Sequence, residues 1–324
     1  MGFKELIGQE KAVKLIKEGL RSGRLNHGYL YYGPENRGKF TFALGAAKAL
    51  NCFQEKEDYC GACLSCEKID KGVHPDLRVI EAQQGKSIKI EQIKKVKGFS
   101  SSRPHEGLRK VIIIKDAQLM TLPAANSLLK LLEEPPSYLY FILTSPALDL
   151  VPPTIISRCQ LVPFGRVSRQ KIYSYLSKNS PLTEDELKGV VHLADGSMGR
   201  ALSMISSPDW KDKRERYLKR TLQVLSGEEK EIFIQAEELA GEEDLFDYLE
   251  FLESFLRDSL VYHAGGDKDL LINVDFYNEI ETEGNIPSEK LLYMMKEVEG
   301  FKKNLPLPLN RRLSLEALLV KMKG

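Results

Sequence analysis

At 324 residues, 42% apolar and 29% charged, the chain has the length for two or three domains and enough apolar material for a real core. A formal net charge of +1 excludes a polycation that coats nucleic acid through its overall charge, so any such contact must come from local patches. No run approaches the roughly 18 consecutive apolar residues of a membrane helix. The start, Met1-Gly2-Phe3-Lys4-Glu5-Leu6, has neither a secretory layout nor the Ser or Thr at position 6 that myristoylation wants, so a cytoplasmic protein with no membrane partner is expected.

In chain order, Ala12, Val13, Leu15, Ile16 and Leu20 predict a helix over Gln9 to Ser22. A strand over Tyr29 to Tyr32 leads into Gly33-Pro34-Glu35-Asn36-Arg37-Gly38-Lys39, and a helix is predicted from Thr41 to Leu50. This is a G-x4-G-K loop between strand and helix. Gly33 and Gly38 let backbone N–H groups turn inward on phosphate, Lys39 adds a point charge, and the helix N-terminus favours an anion. The next position should carry the hydroxyl that binds Mg²⁺, and it is Phe40. Thr41 follows one residue later, turned by about 100° around the helix, and cannot simply substitute.

Four of the five cysteines come next, as Cys52-x7-Cys60-x2-Cys63-x2-Cys66. In a cytosolic chain such clustering favours metal over disulfides. Four thiolates have the number and softness of a closed, structural Zn²⁺ site, against the alternative of four unliganded thiols. His74-Pro75-Asp76-Leu77 reads as the turn into a strand over Leu77 to Ile80, not as a ligand. Lys86, Lys89, Lys94, Lys95, Lys97, Arg103, Arg109 and Lys110 form the densest basic stretch. Duplex phosphates or a solvated face balanced by Glu91 and Glu106 account for it equally.

The continuously apolar, β-branched Val111 to Ile114 predicts a central strand buried on both faces, running to Lys115. Strands over Tyr140 to Thr144 and Gln160 to Pro163 complete an alternating α/β pattern, which implies a parallel sheet. After Phe164 only helical patterns remain. Ser168 caps a helix to about Lys178, Thr183 with Glu186 makes a capping box for one through Leu193, and Asp195-Gly196-Ser197 opens a third. Ser206-Ser207-Pro208-Asp209 is a break. From Trp210 on the pattern is helical, with loops at Gly265-Gly266-Asp267 and Asn304-Leu305-Pro306.

Several segments together resemble the AAA+ clamp-loader subunits of bacterial DNA polymerase III, of the gamma and delta-prime type. Ile7-Gly8-Gln9 is similar to their adenine-side box, and His27-Gly28-Tyr29-Leu30-Tyr31-Tyr32-Gly33-Pro34 to their first strand and phosphate loop. Asn126-Ser127-Leu128-Leu129-Lys130-Leu131-Leu132-Glu133-Glu134-Pro135-Pro136 resembles a signature of these subunits. Ser157-Arg158-Cys159 resembles the motif that carries their trans-acting arginine. Ala194-Asp195-Gly196-Ser197-Met198 resembles their second-sensor segment, and Asn310, Leu313, Leu315, Glu316 and Leu318-Leu319 their closing helix. The resemblance implies a five-stranded parallel α/β AAA+ domain over 1–165 with a four-cysteine zinc insert at about 52–66. A helical lid over 166–207 and an all-α collar over 208–324 would follow.

The departures from that pattern are specific. Counting back from Asn126 places Lys115 at the metal carboxylate and Asp116 at the catalytic Glu; in the other register Asp116 meets the metal and Ala117 replaces the base. Either way one carboxylate is missing. Gly199 stands where gamma-type subunits carry the lid arginine, with Arg200 beside it, while Thr144-Ser145 falls at the first sensor. Lost nucleotide groups beside a retained Arg158 form the delta-prime pattern, and the length agrees with it. The expectation is a subunit that does not hydrolyse ATP and lends Arg158 to a neighbour's ATP. Its implied partners are gamma or tau and delta subunits, the sliding clamp and primer-template DNA. Whether ATP still binds is left open. The alternatives are a gamma-type motor rescued by Thr41 and Asp116, and a stand-alone DNA-binding AAA+ relative.

Overall fold

The computed structural model describes residues 2–3, 6–82, 86–207, 209–226, 231–242, 244–282, 286–305 and 310–323. Pro208 of the predicted break and Pro306 of the predicted loop lie outside them. Two compact units result, one of residues up to Lys171 with Gly196–Gly199, the other of Ile172–Asp195 with residues from Arg200 on.

The first unit runs α1 (Glu10–Ser22), β1 (Gly28–Tyr32), α2 (Lys39–Asn51), α3 (Leu64–Asp70), β2 (Leu77–Ile80), α4 (Ile90–Ser100), β3 (Lys110–Ile114), α5 (Leu122–Glu133), β4 (Leu139–Ser145), α6 (Pro153–Ile156) and β5 (Gln160–Pro163). All four strand pairings are parallel, in the order β2-β3-β4-β1-β5. Every residue of β3 and β4 is buried, as the unbroken apolar runs require of strands covered on both faces. Side chains alternate between two cores. Tyr31, Ile113, Ile142 and Phe164 face Phe42, Ala43 and Ile16, whereas Leu30, Ile112, Ile114 and Phe141 face Ile93, Leu128 and Ile155. The expected fold class, a five-stranded parallel α/β domain with a cysteine module followed by helices alone, is what is observed.

The third strand lies one residue earlier than expected. It starts at Lys110 and ends at Ile114, which leaves Lys115 outside it. Asp116 takes the left-handed conformation (φ 56°) and turns the chain into the short 3-10 turn Ala117–Leu119.

The second unit is helical. It is entered by α7 (Arg169–Asn179) and continues with α8 (Glu184–Leu193), α9 (Met198–Ser206), α10 (Trp210–Ser226), α11 (Ile232–Ala240), α12 (Leu245–His263), α13 (Tyr277–Thr282), α14 (Ser288–Asn304) and α15 (Arg311–Lys323). The predicted capping box forms, with Thr183 N donating to Glu186 Oε2 at 2.8 Å and Glu186 N to Thr183 Oγ1 at 3.4 Å. Helix α12 packs on α10 and α14, and α15 packs on α11 and α14. Phe251, Phe255, Leu252, Leu315 and Leu319 are buried in this unit. Among the described residues no helix is long and apolar enough to cross a membrane.

Candidate functional site

Helix α2 has a chemically distinctive segment at each end. At its N-terminus the phosphate loop has the expected shape. Gly33 and Gly38 take φ of 142° and 79°, and a Cβ on Gly33 would collide with the Phe164 carbonyl. Gly33 N donates to Ser145 O at 3.2 Å, and Gln9 Nε2 donates to Arg37 O at 3.4 Å, so β4 and the start of α1 both brace the loop. Lys39 is buried and its ammonium donates to Gly33 O at 2.5 Å and Pro34 O at 2.7 Å. Burial lowers the Lys39 pKa, with Asp116 and Glu35 opposing that shift.

The loop departs from the phosphate-loop motif at the position after Lys39. Phe40 stands at the hydroxyl position and packs against the core. The Lys115 ammonium lies 5.7 Å from the centre of its ring and 3.4 Å from Glu81 Oε2. Two replacements 75 positions apart in sequence are therefore neighbours in space. Thr41 is exposed on α2. Asp116 N donates to Thr144 Oγ1 at 3.0 Å, which ties the end of β3 to the end of β4. A Cβ on Gly199 would meet nothing within 4 Å, while Arg200 donates to Asp247 Oδ1 at 2.6 Å and stacks on Phe246.

At the C-terminal end of α2 the four predicted cysteines converge. Cys52 follows the helix directly, Cys63 caps α3 and Cys66 lies in its first turn. The ligand atoms of Cys52, Cys60, Cys63 and Cys66 all lie within 4.8 Å of one another, with Cys52 Sγ 3.6 Å from Cys60 Sγ and 4.0 Å from Cys63 Sγ. A tetrahedron with metal–sulfur bonds of 2.3 Å has edges of about 3.8 Å, so the cluster fits a closed four-thiolate metal site. Backbone N–H groups of Glu55 and Cys60 point at Cys52 Sγ, and those of Ala62 and Cys63 at Cys60 Sγ. Burial raises the Cys63 thiol pKa, but N–H groups of Cys66 and Phe53 outweigh it and bring it down to about 6. Burial pushes the Cys66 thiol up. Such thiolate-favouring donors are what a metal ligand needs.

His74 is not a ligand. It is buried, its Nδ1 accepts from Asp76 N at 3.1 Å, and its Nε2 lies 3.1 Å from Ser65 Oγ. Asp76 is fully buried and accepts from the backbone N–H groups of His105, Glu106 and Gly107 at 2.8–2.9 Å. This anchor has no sequence signature beyond a buried-looking carboxylate before a strand.

The basic stretch divides. Lys86, Lys89, Lys94, Lys95, Lys97, Arg103 and Arg109 are exposed. Lys110 is a correction: it is 1% exposed, its ammonium donates to Phe99 O at 2.7 Å and Ser102 Oγ at 2.6 Å, and it sits 4.4 Å over the Phe99 ring. It holds α4 to the sheet and cannot reach a phosphate.

Arg158 lies in the turn between α6 and β5, beside Asn26 and His27, which lead into β1, and Gly28, its first residue. Its Nε donates to Glu133 Oε1 at 2.8 Å, Nη2 donates to the same oxygen, and Nη1 donates to Thr154 O at 2.9 Å and Ser157 Oγ at 3.1 Å. The side chain retains 32% exposure. Cys159 is inert beside it, its thiol pushed up by burial to about 12. Sequence reasoning missed Glu133 as the partner, although the adjacent carboxylates Glu133-Glu134 were a signal.

Comparisons with known proteins agree along most of the chain. A family model described as DNA polymerase III, delta subunit, matches residues 8–168, and one described as DNA polymerase III, delta subunit, C terminal, matches 208–324. The chain is 34% identical over 209 residues to the DNA polymerase III subunit gamma of Buchnera aphidicola subsp. Acyrthosiphon pisum, covering 63% of this chain and 57% of that protein. It is 38% identical over 156 residues to the DNA polymerase III subunit delta' of Bacillus subtilis, covering 48% and 47%. It thus spans about half the length of these curated relatives. Among solved structures, a DNA polymerase III, gamma subunit-related protein from Thermotoga maritima aligns over 96% of this chain and 98% of that one, with 16% identity and a TM-score of 0.45.

Proposed function

We propose that this chain, which belongs over residues 8–168 and 208–324 to the DNA polymerase III delta-subunit family, is a delta-prime-type clamp-loader subunit that does not hydrolyse ATP and lends Arg158 to a neighbour's nucleotide. The observation that carries this reading is the contact of Lys115 with Phe40. In phosphate-loop hydrolases Mg²⁺ is held by the loop hydroxyl and a carboxylate at the end of a neighbouring strand. A benzyl ring supplies no oxygen ligand and the ammonium repels a metal beside it; Asp116 near Lys39 is then the one carboxylate in the turn after β3, where a hydrolase needs two. The relatives include gamma and delta-prime subunits alike, so the delta-prime assignment rests on these replacements and on Gly199.

The position of Arg158 supports action in trans. It adjoins the first residues of β1, whereas the chain's own phosphate loop follows the last. Five residues of strand separate them by roughly 16 Å. An exposed guanidinium so far from its own loop suits an interface with another subunit. In this reading the chain has an α/β body over 1–165, a lid over 166–207 and a collar over 208–324. Its partners are the gamma or tau and delta subunits, the sliding clamp and primer-template DNA. Cys52, Cys60, Cys63 and Cys66 would hold a structural Zn²⁺, whose role when bound is to tie the α2–α3 connection together.

The test is clamp- and DNA-stimulated ATPase of reconstituted complexes. Arg158→Ala is expected to leave assembly intact and lower turnover at the adjacent site by a large factor, since trans arginine fingers contribute on the order of 10³–10⁵. Arg158→Lys should rescue little, because a point charge cannot make a forked contact. A wild-type rate from the Ala complex would overturn the finger. Failure to co-purify with clamp-loader subunits would favour a stand-alone DNA-binding protein.

A further inference from the structure

The arrangement around Arg158 holds more than an exposed arginine. Its backbone is set by α6, with Arg158 N donating to Ile155 O at 3.1 Å and Cys159 N to Ile156 O at 3.3 Å. Gly28 allows that turn to lie against β1: a Cβ there would stand 3.1 Å from Arg158 O and 3.3 Å from Cys159 Sγ. Its side chain is fixed as well. A guanidinium has five N–H donors. Nε and Nη2 donate to Glu133 Oε1, and Nη1 donates to Thr154 O and Ser157 Oγ. The second Nη2 hydrogen points off the Nη1–Nη2 edge, adjacent to the Nε–Nη2 edge that Glu133 holds. The group borders a groove of about 500 Å³ that also includes Leu132, Pro135 and Gln160.

We propose that Glu133, at the C-terminal end of α5, is the positioning residue for Arg158. Its carboxylate clamps the Nε–Nη2 edge, fixes the plane and reach of the guanidinium, and reserves the Nη1–Nη2 edge for phosphate oxygens across a subunit interface. The Ser157 hydroxyl is the weak partner that a phosphate displaces, since a neutral acceptor yields to an anionic one. The carboxylate stays in place and holds a long side chain that would otherwise sample many rotamers. This rests on the trans role of Arg158 proposed above. It adds a residue that never touches the nucleotide and acts only through the arginine.

Reconstituted complexes carrying Glu133→Ala, Glu133→Gln, Arg158→Ala and the Glu133→Ala/Arg158→Ala pair provide the test, read as kcat and KM for ATP. Glu133→Ala is expected to lower kcat by about 10- to 10²-fold, the scale of a misplaced catalytic group, with KM and assembly unchanged. Glu133→Gln, which keeps an acceptor without the charge, should fall between Ala and wild type. In the Arg158→Ala background, Glu133→Ala should have no further effect. A wild-type kcat from Glu133→Ala, while Arg158→Ala is impaired, overturns the positioning role and leaves the finger standing. A wild-type rate from Arg158→Ala overturns the finger itself. A raised kcat from Glu133→Ala would make Glu133 a restraint, and an equal loss with and without Arg158 would make it merely structural; both outcomes reject the proposal.

Discussion

The two ends of helix α2 are built on one backbone and differ in what their side chains can do. The C-terminal end has a complete chemical set, four sulfurs at tetrahedral separations with backbone N–H groups aimed at two of them. The N-terminal end keeps its scaffold, with positive-φ glycines, a buried lysine and bracing from Gln9 and Ser145, but carries Phe40 where the loop motif has a hydroxyl, with Lys115 beside it. The scaffold is held by packing of the sheet and would persist whether or not a nucleotide binds. Phe40 departs from the loop motif and still packs against the core, so that packing is undisturbed. A metal held at the cysteine end would allow no such separation, because its ligands would also be the structure.

The largest effect expected from this contrast is at the cysteines. Metal analysis should find one tightly held ion per chain, and Cys63→Ser or chelation should unfold the 52–70 segment and lower stability by several kcal/mol, because structural metal binding is folding free energy. An unchanged melting temperature, or well under one equivalent of metal in a metal-replete preparation, would break the comparison.

Asp76 tests whether the same end also depends on its polar anchors. Burial pushes its carboxyl pKa up, but the N–H groups of Gly107, His105 and Glu106 outweigh it and hold the value below the ordinary one. A depressed carboxylate contributes stability that is present above the unfolded value of about 3.9 and lost as pH falls through the folded value. Asp76→Asn should cost about 1–3 kcal/mol at pH 7. In urea titrations that gap should close as pH falls below about 4; a gap independent of pH would contradict the anchor.

Arg158→Ala should change the stability of the isolated chain by less than about 1 kcal/mol, because an ion pair this exposed is screened by water. A larger loss in thermal unfolding would make Arg158 a structural residue. The smallest effect belongs to the degenerate loop. In the proposed reading, Phe40→Thr alone should leave the ATPase of the isolated chain at background, since the Lys115 ammonium would still lie beside position 40 and Gly199 supplies no side chain. Measurable turnover by the wild type or by this variant would restore the motor reading.

Much of the α/β unit was legible from local pattern. The strands at Leu77–Ile80 and Gln160–Pro163 fall where the alternation of strand and helix patterns puts them, and the Thr183–Glu186 box forms because its partners are three residues apart. The four cysteines were legible for the same reason, as their spacing limits how far their sulfurs can separate. Tertiary structure alone decided the strand order, which depends on crossovers. It also decided that Lys110 is buried over Phe99, that Lys115 meets Phe40, and that Glu133 holds Arg158. The linear sequence names these charges but not their partners. Each partner is fixed only when parallel strands bring the ends of distant segments together, and desolvation and hydrogen bonding then select what each charge can reach.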